Sequence, residues 1–285
     1  MDISKWKSFY SFEFPTRRIS RKSVRAVRSF LDEKGLGRVG VLLTCNDLNW
    51  RNQLFISQVS YQRFVLAEDG LGAYLSYRRR LLGWLYAEVY LRLFYSDVTF
   101  HYGKMNHSAA DLHVSLSEGA FPWRPDSNKR LIFDEFVRYC EQLSLRLVGD
   151  WKCLSTASAL LITQPLSDHG HWRFEDEVLA YSKMLKVLGQ SEQLVVVKKH
   201  PAESHASFKE KIGFLESRHK SLQFKSIDSE VPVEVVCSEL RSGSKVLSVI
   251  STGALNVSLA RPDLEVFCDS AWANKLRNRW PVNFL

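Results

Sequence analysis

Val246-Leu247-Ser248-Val249-Ile250 runs directly into Ser251-Thr252-Gly253, and this junction decides the fold. A short, largely apolar run closed by two hydroxyls and a glycine reads as a buried strand. The glycine lets backbone approach closely as a helix begins, and the helix is predicted over Gly253 to Ala260. The same pattern recurs on either side. Ala159 to Thr163 reads as a strand opening into Gln164-Pro165-Leu166-Ser167, and Leu194-Val195-Val196-Val197 runs into Lys198-Lys199-His200-Pro201. Leu222-Gln223-Phe224 and Leu264-Glu265-Val266-Phe267 are further short strands. Between them fall helical periodicity over Phe174 to Leu188, a polar helix near Ala206 to Arg218, and a helix opened by Pro232. Strands alternating with helices predict an α/β fold with a mostly parallel sheet covered on both faces.

Working toward the N-terminus, the rhythm persists in part. Ile19 to Lys34 mixes Arg and Lys with Val24, Val27, Phe30 and Leu31 at helical spacing, which gives a basic outer face, and Gly35-Leu36-Gly37 ends it. Val39 to Leu43 reads as a buried strand followed by the polar Thr44-Cys45-Asn46-Asp47. A second strand, Phe64-Val65-Leu66-Ala67, ends at Glu68-Asp69-Gly70. From about Leu75 to Leu145 the pattern is less regular. The basic, aromatic-rich stretch from Arg78 to Tyr95 suits a membrane interface, and equally an ordinary helix burying one apolar side. Phe121-Pro122-Trp123-Arg124-Pro125-Asp126-Ser127 reads as a loop. The expected division is an N-terminal domain over residues 1–150 and a C-terminal domain over 151–285.

Lys+Arg 39 against Asp+Glu 31 leaves a formal charge of +8, which favours phosphorylated ligands, anionic polysaccharide, nucleic acid or an acidic membrane surface without choosing among them. No Walker phosphate loop, GxSxG elbow, GxGxxG fingerprint or nucleic-acid reading motif is present. The five cysteines show neither a CxxC pair nor zinc spacing, which suits a reducing compartment. Cys45, Cys237 and Cys268 lie in apolar surroundings and are expected as small core residues. No apolar window is long enough to span a bilayer, and the N-terminus has no signal-peptide core, so a cytoplasmic location is expected.

Ligands of open α/β folds collect at the carboxyl ends of the strands. Three polar signals occupy such ends. Ser251-Thr252-Gly253 opens a helix, whose free N–H groups and dipole suit a phosphate, although Ser and Thr are also common helix caps. His200 sits beside a proline that fixes the turn and is placed to donate a proton to a departing phosphate. The lysines next to it disfavour its charged form. Glu68-Asp69-Gly70 places two carboxylates at a strand tip, where one is able to take a proton from a hydroxyl; Asp-Gly is also a common turn pair. Glu234, just inside the helix after Pro232, is placed to accept hydrogen bonds from sugar hydroxyls or to serve as a first-turn acid. His169-Gly170-His171 and Glu175-Asp176-Glu177 are metal-compatible in type, but a mobile glycine, a missing third ligand and an acidic helix start argue against a site.

Taken in order, Glu68-Asp69-Gly70, His200-Pro201 and Ser251-Thr252 resemble the acidic-acidic-Gly, His-Pro and Ser/Thr motifs of the bacterial sialyltransferases, especially the polysialyltransferase and lipooligosaccharide sialyltransferase groups. Leu161-Ile162-Thr163-Gln164-Pro165 and Pro232-Val233-Glu234 resemble pieces of that family's nucleotide-binding domain, and the likeness covers roughly Val39 to Phe267. The resemblance implies a GT-B-like fold, with two Rossmann-like domains facing a cleft. It implies transfer of sialic acid or a related 2-keto sugar from a CMP-sugar such as CMP-sialic acid to a bacterial surface glycan of capsule or lipooligosaccharide. By the same carry-over, Glu68 is the base on the acceptor hydroxyl, with Asp69 supporting it or taking that role. His200 stabilises or protonates the leaving phosphate, Pro201 sets its turn, Ser251, Thr252 and Gly253 hold the phosphate, and Glu234 contacts the ribose. Gln164 lines the donor side and Asn46 the acceptor side. Inverting single displacement is expected, without a metal or other cofactor, at a cytoplasmic site in peripheral contact with an anionic inner membrane. Transfer of Kdo or another nonulosonic acid, or a non-catalytic nucleotide- or glycan-binding remnant, are the alternatives. One departure stands out: the first convincing strand comes only at Val39, so a shortened N-terminal domain is expected.

Overall fold

The structure, a computed structural model, describes residues 20–45, 50–68, 110–117, 120–121, 128–146, 151–189, 193–227, 231–269 and 283–284. It divides into two compact units, Met1–Phe133 and Asp134–Leu285. Asn46, Asp69, Gly70, the Arg78 to Tyr95 stretch and all but Phe121 of the proline-containing loop lie outside the described residues.

In the first unit, helix α1 (Arg21–Glu33) is capped by Ser20, whose side chain accepts from the Ser23 N–H at 3.1 Å. Val24, Val27 and Leu31 turn inward onto Leu54 of α2 (Trp50–Gln58) and Val59, while Arg21, Lys22, Arg25 and Arg28 remain exposed. The expected basic-faced helix is therefore present. Among the described residues, β1 (Arg38–Thr44), β2 (Ser60–Ala67), β3 (Leu112–Ser115) and β4 (Lys129–Leu131) form a wholly parallel sheet in the order β1-β2-β3-β4. β3 and β4 arise in the stretch whose sequence shows no regular pattern, because neither contains a continuous apolar run. Val41 and Leu43 on edge strand β1 are 61% and 50% exposed, unlike the buried strand expected there. Cys45, expected in the core, is exposed, since it lies beyond the end of β1 where the chain has left the sheet.

The second unit opens with α3 (Phe133–Arg146), whose Phe136, Cys140 and Leu143 pack into this unit's core. That packing makes the helix part of the second unit. Parallel strands β5 (Ala159–Ile162), β6 (Gln193–Lys198), β7 (Leu222–Ile227), β8 (Lys245–Ser248), β9 (Glu265–Cys268) and β10 (Asn283–Phe284) are ordered β10-β9-β8-β5-β6-β7. The chain thus leaves β5 in one direction through β6 and β7, then returns to β5's other side with β8. Every residue of β5 is buried, as are the last four of β6, so both faces of the central strands are covered. Leu160, Val196, Val246 and Val266 share one core with Val235 and Val236 of α6 (Val233–Val236) and with Ala254 and Val257 of α7 (Thr252–Ala260). Helix α4 (Phe174–Leu185) packs on β8 and on α5 (His205–Arg218). Cys237 and Cys268 are buried as expected. Burial and nearby acids push the thiols of Cys140 and Cys268 up to about 11 and about 12, so both behave as inert core groups.

Candidate donor site at the strand switch

The return of the chain to β8 beside β5 makes a topological switch, the place where open α/β sheets bind ligands. Register puts Ile162 of β5 opposite both Lys198 of β6 and Ser248 of β8. Adjacent strands lie about 4.8 Å apart, so three strand ends fall within about 10 Å of one another. The sheet thereby gathers at one edge the loops that carry Gln164, His200-Pro201 and Ser251-Thr252-Gly253.

Ser251 is the N-cap of α7, with extended backbone and no side-chain capping hydrogen bond. A serine that caps nothing leaves its hydroxyl for something else at a helix end whose dipole favours an anion. Gly253 is required there: a Cβ at this position would collide with Val233 Cγ1 and lie 3.6 Å from Glu234 Oε1. The starts of α6 and α7 are pressed together by this absence of a side chain, which brings Glu234 beside the Ser251-Thr252 pair. Asn256 Nδ2 then donates to Glu234 Oε1 at 2.9 Å. Asn256 is 5% exposed, and its Oδ1 has no hydrogen-bond partner among the described residues. Asn256 was not singled out in the sequence, though its spacing of four from Thr252 puts both on one helix face. Arg261 clamps the far side, donating to Cys237 O at 2.7 Å and Leu240 O at 3.0 Å while paired with Asp263 at 2.7 Å.

His200 is half-buried, and its Nδ1 accepts the Ala202 N–H at 3.1 Å. The neutral ring therefore keeps its proton on Nε2. Burial lowers its pKa, with Lys198, His169 and Lys199 adding repulsion. A neutral imidazole with Nε2–H outward is a hydrogen-bond donor, and its proton is not readily released.

Gln164 is fastened by its backbone: its N–H donates to the Tyr181 hydroxyl at 2.8 Å and its carbonyl accepts from Lys211 Nζ at 2.9 Å. Lys211, with no exposed surface, also pairs with Glu177 at 2.7 Å and Glu203 at 2.6 Å. None of Tyr181, Lys211 or Glu203 stood out in the sequence, because a tyrosine or lysine within a helix and a glutamate in a polar turn look ordinary until packing joins them. Glu177 belonged to an acidic run read as a helix start, and the structure keeps Glu175 and Asp176 exposed while burying Glu177. The rings of His169 and His171 are 6.0 Å apart, and no group of three His, Cys, Asp or Glu able to hold a metal occurs among the described residues.

Glu68 belongs to the first unit. Its N–H continues the ladder to Val114 O at 2.9 Å, and its Oε2 accepts the Leu116 N–H at 2.8 Å. It is thus held at the carboxyl end of β2, next to the end of β3. The remaining residues of the expected set, Gln164, His200, Pro201, Glu234, Ser251, Thr252 and Gly253, are all in the second unit, at the strand ends just described or beside them.

Residues 40–269 match the family model described as Alpha-2,8-polysialyltransferase (POLYST). The chain belongs to that family. The polysialyltransferase family makes it a glycosyltransferase, with a nucleotide-sugar donor and a glycan acceptor. No curated protein matches it by sequence. Among solved structures it is similar to the UDP-GlcNAc 2-epimerase of Methanocaldococcus jannaschii, crystallised with UDP-GlcNAc and UDP. That likeness has a TM-score of 0.52 and 11% identity, over 93% of this chain and 68% of that one. It is also similar to the UDP-GlcNAc 2-epimerase of Neisseria meningitidis bound to UDP-GlcNAc, with TM-score 0.48 and 13% identity, over 89% of this chain and 66% of that one. Such identities speak to fold alone. With the two parallel α/β sheets, the likeness to the Methanocaldococcus jannaschii structure makes this polysialyltransferase-family chain GT-B-like in fold.

Proposed function

We propose that the chain transfers sialic acid or a related 2-keto sugar from a CMP-sugar to a surface glycan, by a single inverting displacement. The observation that carries the donor half is the gathering of Ser251-Thr252-Gly253, Glu234, His200 and Gln164 at and beside the β5–β8 switch. The phosphate of CMP rests on the start of α7 and the Ser251 and Thr252 hydroxyls, and Glu234, held by Asn256, accepts from the ribose.

In the reaction the acceptor oxygen attacks the anomeric carbon, and the bond from that carbon to the phosphate oxygen breaks. Glu68 takes the acceptor's proton, and the electron pair leaves with CMP. Asp69 supports Glu68, and Asn46 lines the acceptor side. A phosphate monoester has a second pKa of about 6, so CMP departs near neutrality without needing a proton. His200 therefore stabilises the leaving phosphate through its Nε2–H bond, the role its neutral tautomer permits. Positioning and charge stabilisation supply the rate, and no metal or cofactor takes part.

No helix among the described residues is long and apolar enough to cross a membrane. The enzyme works in the cytoplasm in peripheral contact with an anionic membrane, and the exposed Arg21, Lys22, Arg25 and Arg28 of α1 supply a basic face for it. The deciding experiment is a panel of CMP-sugars assayed for CMP binding by calorimetry and for CMP release with glycan acceptors. Release from a CMP-nonulosonic acid supports the proposal; absence of CMP binding ends it.

A further inference from the structure

We propose that the buried Lys211–Glu177–Glu203 cluster is a positioning element that holds the Gln164 loop and the His200 turn in one fixed relation. The proposal rests on the reading of these two loops as parts of the donor site. All three side chains are 0% exposed at the charged ends that meet. Replacing a buried ion triad by apolar residues is often neutral or stabilising, so stability alone does not account for one.

What the cluster touches does account for it. Glu177 Oε2 accepts the Ser167 N–H at 2.9 Å, and its Oε1 accepts the Tyr181 hydroxyl at 3.1 Å as well as Lys211. Tyr181 in turn receives the Gln164 N–H, and Lys211 donates to the Gln164 carbonyl. Both backbone groups of Gln164 are thus held by side chains from α4 and α5. Glu203 belongs to the other loop: its N–H donates to His200 O at 3.0 Å. Its carboxylate accepts from Lys211 and from the Thr163 hydroxyl, so one side chain links the residue before Gln164 to the turn that carries His200. Asp168 adds a second tie, accepting the Ser204 N–H at 2.8 Å. Burial raises the Glu203 pKa, against the hydrogen bonds from Lys211 and Thr163, which lower it. The strands place the two loops side by side, and the charge cluster sets their spacing.

The test uses the full chain with Thr163→Val, which removes one of the ties between the loops without emptying the core, and Thr163→Ser, which keeps a hydroxyl there. Two readouts need no substrate: amide hydrogen exchange at Gln164, Ser167 and Glu203, and the NMR titration and tautomer of the His200 ring. Thr163→Val is expected to speed exchange at these amides about tenfold and to move the His200 pKa toward its ordinary value. Under the proposed activity it also lowers kcat about tenfold with KM for the CMP-sugar little changed, and Thr163→Ser restores each value. Unchanged exchange and an unchanged His200 titration overturn the proposal, as does an altered titration with wild-type kcat. If no CMP-sugar is turned over, the activity assigned above fails, and the exchange and titration results still decide the positioning role.

Discussion

The Nδ1 of His200 accepts a hydrogen bond from the backbone N–H of Ala202 at 3.1 Å. The bond sets the ring's tautomer and aims a donor, Nε2–H, away from its own turn. His200→Ala should therefore lower the rate of CMP release about 10²- to 10³-fold, the scale of losing one preorganised donor to a developing anion. CMP affinity should change far less, because the phosphate keeps the start of α7. Single-turnover kinetics alongside calorimetry check both, and a loss confined to affinity would contradict the assignment.

Glu68→Gln keeps an oxygen for the Leu116 N–H and removes the base. Turnover should fall about 10²- to 10⁴-fold while CMP binding and melting temperature stay near wild type. Wild-type turnover in this variant would remove Glu68 from the reaction.

Gly253→Ala forces a methyl group into Val233. Overpacking of this kind costs about 1–3 kcal/mol. Denaturant titration should show that loss, together with weakened CMP binding, since α6 has to move away from α7 and takes Glu234 with it. An alanine variant as stable as wild type would mean the two helix starts yield easily.

Asn256→Leu removes the donor that orients Glu234. If Glu234 reads the ribose, wild type should prefer CMP over its 2′-deoxy analogue, and both Asn256→Leu and Glu234→Gln should lose most of that preference. One charge-assisted hydrogen bond is worth about 1.5–3 kcal/mol, or roughly ten- to hundredfold in affinity. Equal affinities for the two nucleotides in wild type would exclude the ribose contact.

Stability should fall as pH drops below about 6.5. Burial lowers the pKa of His200 and of His219, so over that range the unfolded chain binds more protons than the folded one. Their contribution is full above the ordinary histidine value of 6.5 and is lost as pH falls through their folded values. Glu203 works the other way: its raised pKa favours the folded state as pH falls toward 4.5. Melting curves from pH 8 to pH 5 should slope downward, and His200→Gln with His219→Gln should flatten them. An unchanged slope in the double variant would place the effect elsewhere.

Much of the second unit was legible from periodicity. The strands ending near Thr163, Lys198 and Ile250 are short, largely apolar runs closed by polar turns, and they stand within a residue or two of where they were expected. β3 and β4 were not legible, because Leu112-His113-Val114-Ser115 and Lys129-Arg130-Leu131 hold no continuous apolar run, and the exposure of Val41 and Leu43 depends on an edge position that composition does not encode. In the site, Ser251-Thr252, His200 and Glu234 announced themselves as polar residues where apolar runs stop. Asn256 and Lys211 did not, since each sits inside a helix, and Glu203 did not, since it lies in the turn before α5, where a carboxylate looks solvated until packing buries it.

The order of residues along the chain was enough to settle that strands alternate with helices and that three polar turns follow strands, because burial on both faces demands continuous apolar runs and turns demand their own residues. Which turns become neighbours was settled by the return of β8 to the side of β5, a long-range pairing that no local pattern encodes. The same holds for the Val246–Gly253 junction. Local sequence made it a strand running into a helix. Its close approach to Val233 and Glu234, through the missing side chain of Gly253, exists only once α6 and α7 share one core.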